Sequence, residues 1–263
     1  MIFKLCVDGR NLEFKEFFTE WNPHRLDNSF RSWIRKDSPW MNSAETCRTA
    51  GYKIPTMPEL IEARIYANEN SPLWHSYYDS ISSILIGRTR SSNFSRNGGS
   101  IIAAYLHEPL NIFSDCAQEW DVIPNIELNV INLGFDTILQ KCLPQNIINY
   151  DILKNSISGL VPLKEALKHP QLVPFIGSKE IAERYLERFQ EVYKSKEIGI
   201  WHWHTTSNIN PPHPLIRPLS LSYNGDIMAY WEKDLGSRFF GIKSCDEEDK
   251  ITKHGWMAAI EFD

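Results

Sequence analysis

Ile198-Gly-Ile-Trp-His-Trp-His204, the Pro-rich loop after it that carries His213, and Ser220-Leu-Ser-Tyr-Asn-Gly-Asp-Ile-Met-Ala-Tyr-Trp231 together decide how this chain folds. Alternation with a period of two makes the first run a strand, with Ile200, His202 and His204 on one face and Trp201 and Trp203 on the other. Asn224-Gly225 between two apolar runs predicts a two-residue type I′ turn, whose register sets Leu221 opposite Met228 and Leu219 opposite Tyr230. Runs 198–205, 218–223, 227–231, 238–242 and 256–262 then build one mainly antiparallel sheet and make the C-terminal third β-rich. Helices and loops dominate before it, so the pattern is α+β, helices packed on a sheet, rather than an alternating parallel fold.

The helix that should cover this sheet runs from Ser178 to about Lys194. Ser178 is its N-cap, Gly177 breaks what precedes it, and Ile181, Tyr185, Phe189 and Val192 recur at helical spacing. Further upstream, Thr56 with Pro58 and Glu59 is a capping box that starts a helix from Met57 to about Asn68. Ser43 can cap a short helix ending at Gly51, and Ser158-Gly159 with Pro162 predicts another that stops at His169-Pro170. Residues 82–88 and 100–106 form a hairpin with a long polar tip, 126–131 a further strand, and 135–153 fits helix or strand. At the N-terminus Asp8-Gly9 is a turn signal, followed either by a second strand or by a helix.

A chain of 263 residues, 42% hydrophobic and 23% charged, can bury a large core. A single domain over residues 1–263 is favoured, with a soft boundary near 155. No apolar run reaches the about 20 residues of a membrane span, and residues 1–10 carry charge too early for a secretory leader, so the expectation is a soluble cytoplasmic protein without a membrane partner. Five scattered cysteines without a C-x-x-C pair form neither a disulfide framework nor a zinc ribbon. Net charge is −5 with the signs interspersed, so nucleic acid would have to be met by a local basic loop. Nine Trp and a 12% aromatic share exceed what a core of this size uses, which points to aromatics on a ligand surface.

Trp40, Ala44 and Cys47, followed by Gly51-Tyr-Lys-Ile-Pro-Thr56 and Glu59, resemble the W..A..C…G.RLPT..E segment of C-type-lectin-like domains such as the formylglycine-generating-enzyme family. The resemblance covers about 25 residues. Leu60 stands where that family has Trp, and its later Gly-Gly-Ser-Trp and Gly-Phe-Arg signatures have no counterpart, so no functional residue is carried over.

Three sets of residues are candidates for chemistry. His202, His204 and His213 can supply three imidazoles to a divalent metal, with Asp226, Glu232 or Asp234 adding a carboxylate, as a metal-dependent hydrolase requires. The loop 87–99 offers Arg88, Arg90 and Arg96 with paired glycines, a chemistry that cradles phosphate or nucleic acid. Cys47 or Cys116 with His107 and Glu108 are nucleophile and base types, though buried cysteines mostly act as small hydrophobes. None of these is a specific catalytic signature, and Asp246-Glu-Glu-Asp249 is a solvated loop. The favoured reading is a non-catalytic module that binds a protein or small-molecule ligand through Trp201, Trp203 and the neighbouring histidines, with the arginine loop as a second ligand-binding element.

Overall fold

The computed structural model of the chain describes residues 2–19, 39–89, 100–107, 135–140, 142–202, 215–229 and 237–245. Among the described residues ten strands form two sheets. Strand β1 (Ile2–Val7) turns into β2 (Arg10–Thr19) through Asp8 and Gly9, at φ 49° and 78°. Both residues are left-handed, as a type I′ turn requires, and Val7 pairs with Arg10. The N-terminal alternatives are thus resolved in favour of a hairpin. Strand β10 (Ser237–Ser244) pairs antiparallel with β2 and completes a three-stranded sheet, ordered β1-β2-β10. The last described strand therefore leaves its sequence neighbours and joins the first two, which corrects the expectation of one C-terminal sheet.

The other sheet has seven strands: β3 (Tyr78–Arg88), β4 (Ile101–Leu106), β5 (Ile147–Asn149), β6 (Gly159–Pro162), β7 (Glu197–His202), β8 (Leu215–Leu221) and β9 (Ile227–Ala229). Their order is β5-β4-β3-β8-β9-β7-β6, and every pairing is antiparallel except β7 with β9. The α+β class and the mainly antiparallel sheet hold. Gly159–Pro162 is strand where a helix was expected; a helical turn, Leu163–Ala166, begins only after Pro162. Residues 135–153 divide into a helical turn, a 3-10 turn, β5 and another helical turn, so neither uniform assignment was right. The expected runs 126–131 and 256–262 lie outside the described residues.

The turn at Asn224-Gly225 also differs. Ser222 N–H donates to Asp226 O at 2.9 Å and Gly225 N–H to Ser222 O at 3.1 Å, closing a three-residue loop in which Gly225, at φ 80°, is left-handed and Asn224 is not. The register moves by one: Leu221 pairs with Ile227, and Ser220 with Met228. Such a slip exchanges faces, so Ile227 rather than Met228 joins Leu219 and Leu221, and Ser220 turns to the opposite side. There its hydroxyl donates to the buried Asp79 carboxylate at 2.8 Å, as does the Tyr77 hydroxyl at 2.6 Å.

Among the described residues three helices of ten residues or more pack on these sheets: α1 (Pro39–Thr49), α2 (Met57–Tyr66) and α3 (Lys179–Tyr193). The capping box of α2 is formed as the sequence implies, Thr56 accepting from Glu59 N–H while the Glu59 carboxylate accepts from Thr56 N–H. Such a cap contributes about 1 kcal/mol. Ser178 caps α3 through Ile181 N–H. Helix α1 lies against β2 and β10, where the Cys47 sulfur and the Tyr52 and Phe17 side chains fill the space a Cβ at Gly241 would need. On the other face Phe3 stacks on Phe14 and meets Phe240 edge-on, and Phe240 lies tilted against Tyr78.

Helices α2 and α3 are joined by a buried cation. Arg64, 0% exposed, donates to the Tyr185 hydroxyl at 3.1 Å and to the carbonyls of Ser76 and Ser222 at 3.2 and 2.9 Å, and its guanidinium lies 5.6 Å from the Trp74 ring. Tyr185 stacks on Trp74 and donates in turn to Gly225 O at 2.7 Å. A guanidinium can be buried here because neutral acceptors and an aromatic face replace its water. The β8–β9 turn is thereby locked to both helices.

Candidate functional site

The alternation of the Trp/His strand places its residues as expected. Ile198, Ile200 and His202 are all buried, while Trp201, on the opposite face, is half-buried. Gly199 shares the Trp201 face, and the space of its missing side chain is taken by a carboxylate: Asp226 Oδ1 accepts Gly199 N–H at 2.7 Å, and Oδ2 accepts Trp201 Nε1–H at 3.4 Å and Asn224 Nδ2–H at 2.9 Å. A Cβ at Gly199 would stand 2.3 Å from the Asp226 carboxyl. Asp226 thus orients Trp201 and closes the β8–β9 turn. It stands on the tryptophan side rather than the imidazole side, which corrects its assignment as an added metal ligand.

The imidazole of His202 points inward, 3% exposed, so the accessible aromatic of β7 is Trp201 alone among the described residues. The His202 ring centroid lies 6.2 Å from that of His169. His169 is committed elsewhere: Nδ1 accepts Gln171 N–H at 3.2 Å, which leaves Nε2 to donate to Ile157 O at 2.8 Å. That pattern requires a neutral ring, and burial lowers its pKa in the same sense. Gln171 Nε2 donates to Trp201 O at 2.9 Å, and the Ser158 hydroxyl bridges the backbone N–H and C=O of His202 at 3.2 Å each. His169, Gln171 and Ser158 were not among the sequence candidates, because isolated polar residues in an irregular segment carry no periodic signal. Among the described residues no group of three or more His, Cys, Asp or Glu is placed to hold a metal. His204, His213, Trp203, Glu232 and Asp234 lie outside the described residues, so only His202 of the three-imidazole set is located.

Arg88 is exposed at the end of β3, opposite Ile101 of β4, and Thr89 N–H donates to Ser100 O at 3.1 Å to close the base of the hairpin. Arg90 and Arg96 lie outside the described residues. The Thr89 hydroxyl donates to Asp136, and the Phe135 ring occupies the space above Gly87. Strand directions relate this site to the first. Strands β3, β7 and β9 run one way and β4 and β8 the other. The strand ends at Arg88, Ile101, His202, Leu215 and Ala229 are therefore the same end of the sheet. Strands β8 and β9 separate Arg88 from His202, and Arg88 extends five residues beyond the Ser83 pairing with Pro218, about 17 Å along the strand. Trp201 and Arg88 thus share one end of the sheet without sharing one pocket.

The nucleophile candidates are dispersed. The Cys47 thiol donates to Tyr52 O at 3.6 Å beneath α1, and burial pushes its pKa up to about 12, so it is held as an inert thiol. His107 instead meets the Ser82 hydroxyl at 3.2 Å through Nδ1 and Pro174 O at 2.7 Å through Nε2. Burial pulls its pKa down to about 4, and Ser82 Oγ also accepts Met57 N–H at 2.8 Å. Ser82 is 0% exposed, and its hydroxyl ties the start of α2 to β3. Cys116 and Glu108 lie outside the described residues.

No protein-family model matches the chain, and no curated protein does. Its fold is similar to that of a solved structure described as accommodation of massive sequence variation in Nanoarchaeota by the C-type lectin fold. The two chains are 27% identical, with a TM-score of 0.63, over 90% of this chain and 100% of the other. The likeness noted for the segment from Trp40 to Glu59 thus extends, as a likeness of fold, to nine-tenths of the chain: it resembles a C-type lectin-fold protein in architecture as well as in that segment.

Proposed function

We propose that this chain is a non-catalytic module that binds a protein or small-molecule ligand at the end of the seven-stranded sheet marked by Arg88, Trp201, Leu215 and Ala229. The observation that carries the reading is topological. Segments 90–99 and 203–214, which hold Arg90, Arg96, Trp203, His204 and His213, each lie between two strand ends at that end, and Ala229, where segment 230–236 begins, is a further strand end there. Loops on a rigid scaffold are the usual place for recognition, since they vary without disturbing the core. The architecture of the similar solved protein, a C-type lectin fold that accommodates massive sequence variation, supports a scaffold of this kind. Trp201 supplies a half-buried aromatic face fixed by Asp226, and Arg88 supplies an exposed cation.

The test is thermal-shift screening of the full chain against panels of oligosaccharides and of peptides. A binder should raise the melting temperature in a dose-dependent way, and Arg88→Ala or Trp201→Phe should reduce that shift. No stabilisation by either panel, or shifts that survive both substitutions, would overturn the assignment.

A further inference from the structure

Beside Trp201 stands a second apolar residue that the sequence did not single out. Leu160 of β6 pairs with Gly199 of β7 and is 59% exposed. Leu163 N–H donates to Lys196 O at 2.9 Å, and the antiparallel register carries that alternation back to Val161 and Gly159, so Leu160 and Gly199 are a non-hydrogen-bonded pair. Side chains approach most closely at such pairs, with Cβ positions about 5 Å apart. At Gly199 that position lies 2.5 Å from Trp201 Nε1, because the indole folds back over the glycine toward Asp226. Leu160 and the Trp201 ring thus form one apolar step at the edge of the sheet.

The step favours an apolar ligand group over a hydroxylated one. Trp201 Nε1, the polar atom of the ring, donates to Asp226 Oδ2 at 3.4 Å, and the two Asp226 oxygens also accept Gly199 N–H at 2.7 Å and Asn224 Nδ2–H at 2.9 Å. What remains is an aliphatic side chain beside an aromatic face, which gains by burying apolar surface. Pro162 interrupts the outer edge of β6, so recognition there falls to side chains rather than to an added strand.

The register also fixes the distance from this step to Arg88. Ile200 pairs with Ile227, Ile227 with Leu221, and six residues along β8 Leu215 pairs with Ile86. Trp201 is one residue past Ile200 toward the sheet end, and Arg88 is two past Ile86. The two therefore differ by seven residues, about 23 Å, along the strands and by three strand spacings, about 14 Å, across them. That is roughly 27 Å, which an extended peptide covers with about eight residues. A standard protein–protein interface, about 800 Å² on each partner, is roughly 30 Å across. A monosaccharide or a drug-sized molecule cannot meet both groups.

On the reading that the sheet end is the binding site, we propose that its ligand is a protein, which seats an aliphatic or aromatic side chain on the Leu160–Trp201 step while an acidic side chain meets Arg88. Selection from a phage-displayed library of random dodecapeptides against the immobilised full chain tests it. Enriched peptides should carry Leu, Ile, Phe or Trp and, about eight positions away, Asp or Glu. Leu160→Gln changes an exposed side chain, should keep the parent melting temperature, and should weaken a synthetic enriched peptide about ten-fold. Replacing that peptide's acidic residue by its amide should weaken binding to the parent but not to Arg88→Ala. Undiminished binding to Leu160→Gln, or enriched peptides whose apolar and acidic residues stand within about three positions of each other, overturns the proposal. So does a library without enrichment when an oligosaccharide raises the melting temperature, a result that leaves the sheet-end reading intact. Enriched peptides indifferent to both Arg88→Ala and Trp201→Phe would overturn that reading and the proposal together.

Discussion

Two turns in this molecule carry nearly the same dipeptide and fold differently. Asp8-Gly9 forms a two-residue hairpin turn with both residues left-handed, whereas Asn224-Gly225 sits in a three-residue loop where only the glycine is. The first turn projects into open space, and a Cβ at Gly9 would meet nothing within 4 Å. The second is gripped from three sides: Arg64 holds Ser222 O, Tyr185 holds Gly225 O, and Asp226 is drawn to Gly199 N–H on the neighbouring strand. Local turn preference decides a free hairpin. In the packed one, tertiary hydrogen bonds select the register and with it the placement of Trp201.

The largest effect expected from breaking this contrast is at Gly199. Gly199→Ala drives a methyl into the Asp226 carboxyl and the Trp201 ring, and should cost more than about 4 kcal/mol or prevent folding, as read by urea denaturation. Gly225→Ala combines a left-handed φ with Cβ contacts of 2.7 to 2.9 Å to Tyr193 and Phe189, and should lose about 2–4 kcal/mol. Asp226→Ala leaves Gly199 N–H without its acceptor, at about 2–3 kcal/mol. It should also release the turn, so that a cross-strand contact between Leu221 and Met228 appears by NMR. Gly9→Ala, strained in φ alone, should lose only about 1 kcal/mol. Equal losses at Gly9 and Gly225 would remove the distinction between the two turns.

A pH titration sharpens the picture at the other joint of the fold, between α2 and β3. An unfolded imidazole binds its proton near pH 6.5, but His107 in the folded chain does so only near 4. Between those values the unfolded state holds more protons. The stabilisation is complete above about pH 6.5 and falls as the pH drops toward 4, by up to about 3 kcal/mol. His107→Gln should flatten that part of the stability profile.

What could be read from the sequence was what short-range chemistry determines. Thr56 and Ser178 cap their helices through residues three positions away, and the parity of Ile200, Trp201 and His202 follows from the strand itself. The hydrogen bonds of Arg64 to Tyr185 and Ser222, 121 and 158 residues away, leave no local signal. The pairing of β10 with β2, more than two hundred residues apart, and the parallel pairing of β7 with β9 leave no local trace. The same holds for His169 and Gln171, which approach β7 only through the packing of an irregular turn, and for the choice of Asp226 between the two faces of the strand.

Hydrogen exchange on the full chain, with and without the strongest binder from the oligosaccharide and peptide panels, tests the functional account most directly. Ligand-dependent protection should concentrate at Ile86–Arg88, Trp201–His202 and Leu215–Ile216, the strand ends that share one end of the large sheet, and should weaken in Arg88→Ala. Protection confined to β1, β2 and β10, or no binder that alters exchange at all, would contradict it.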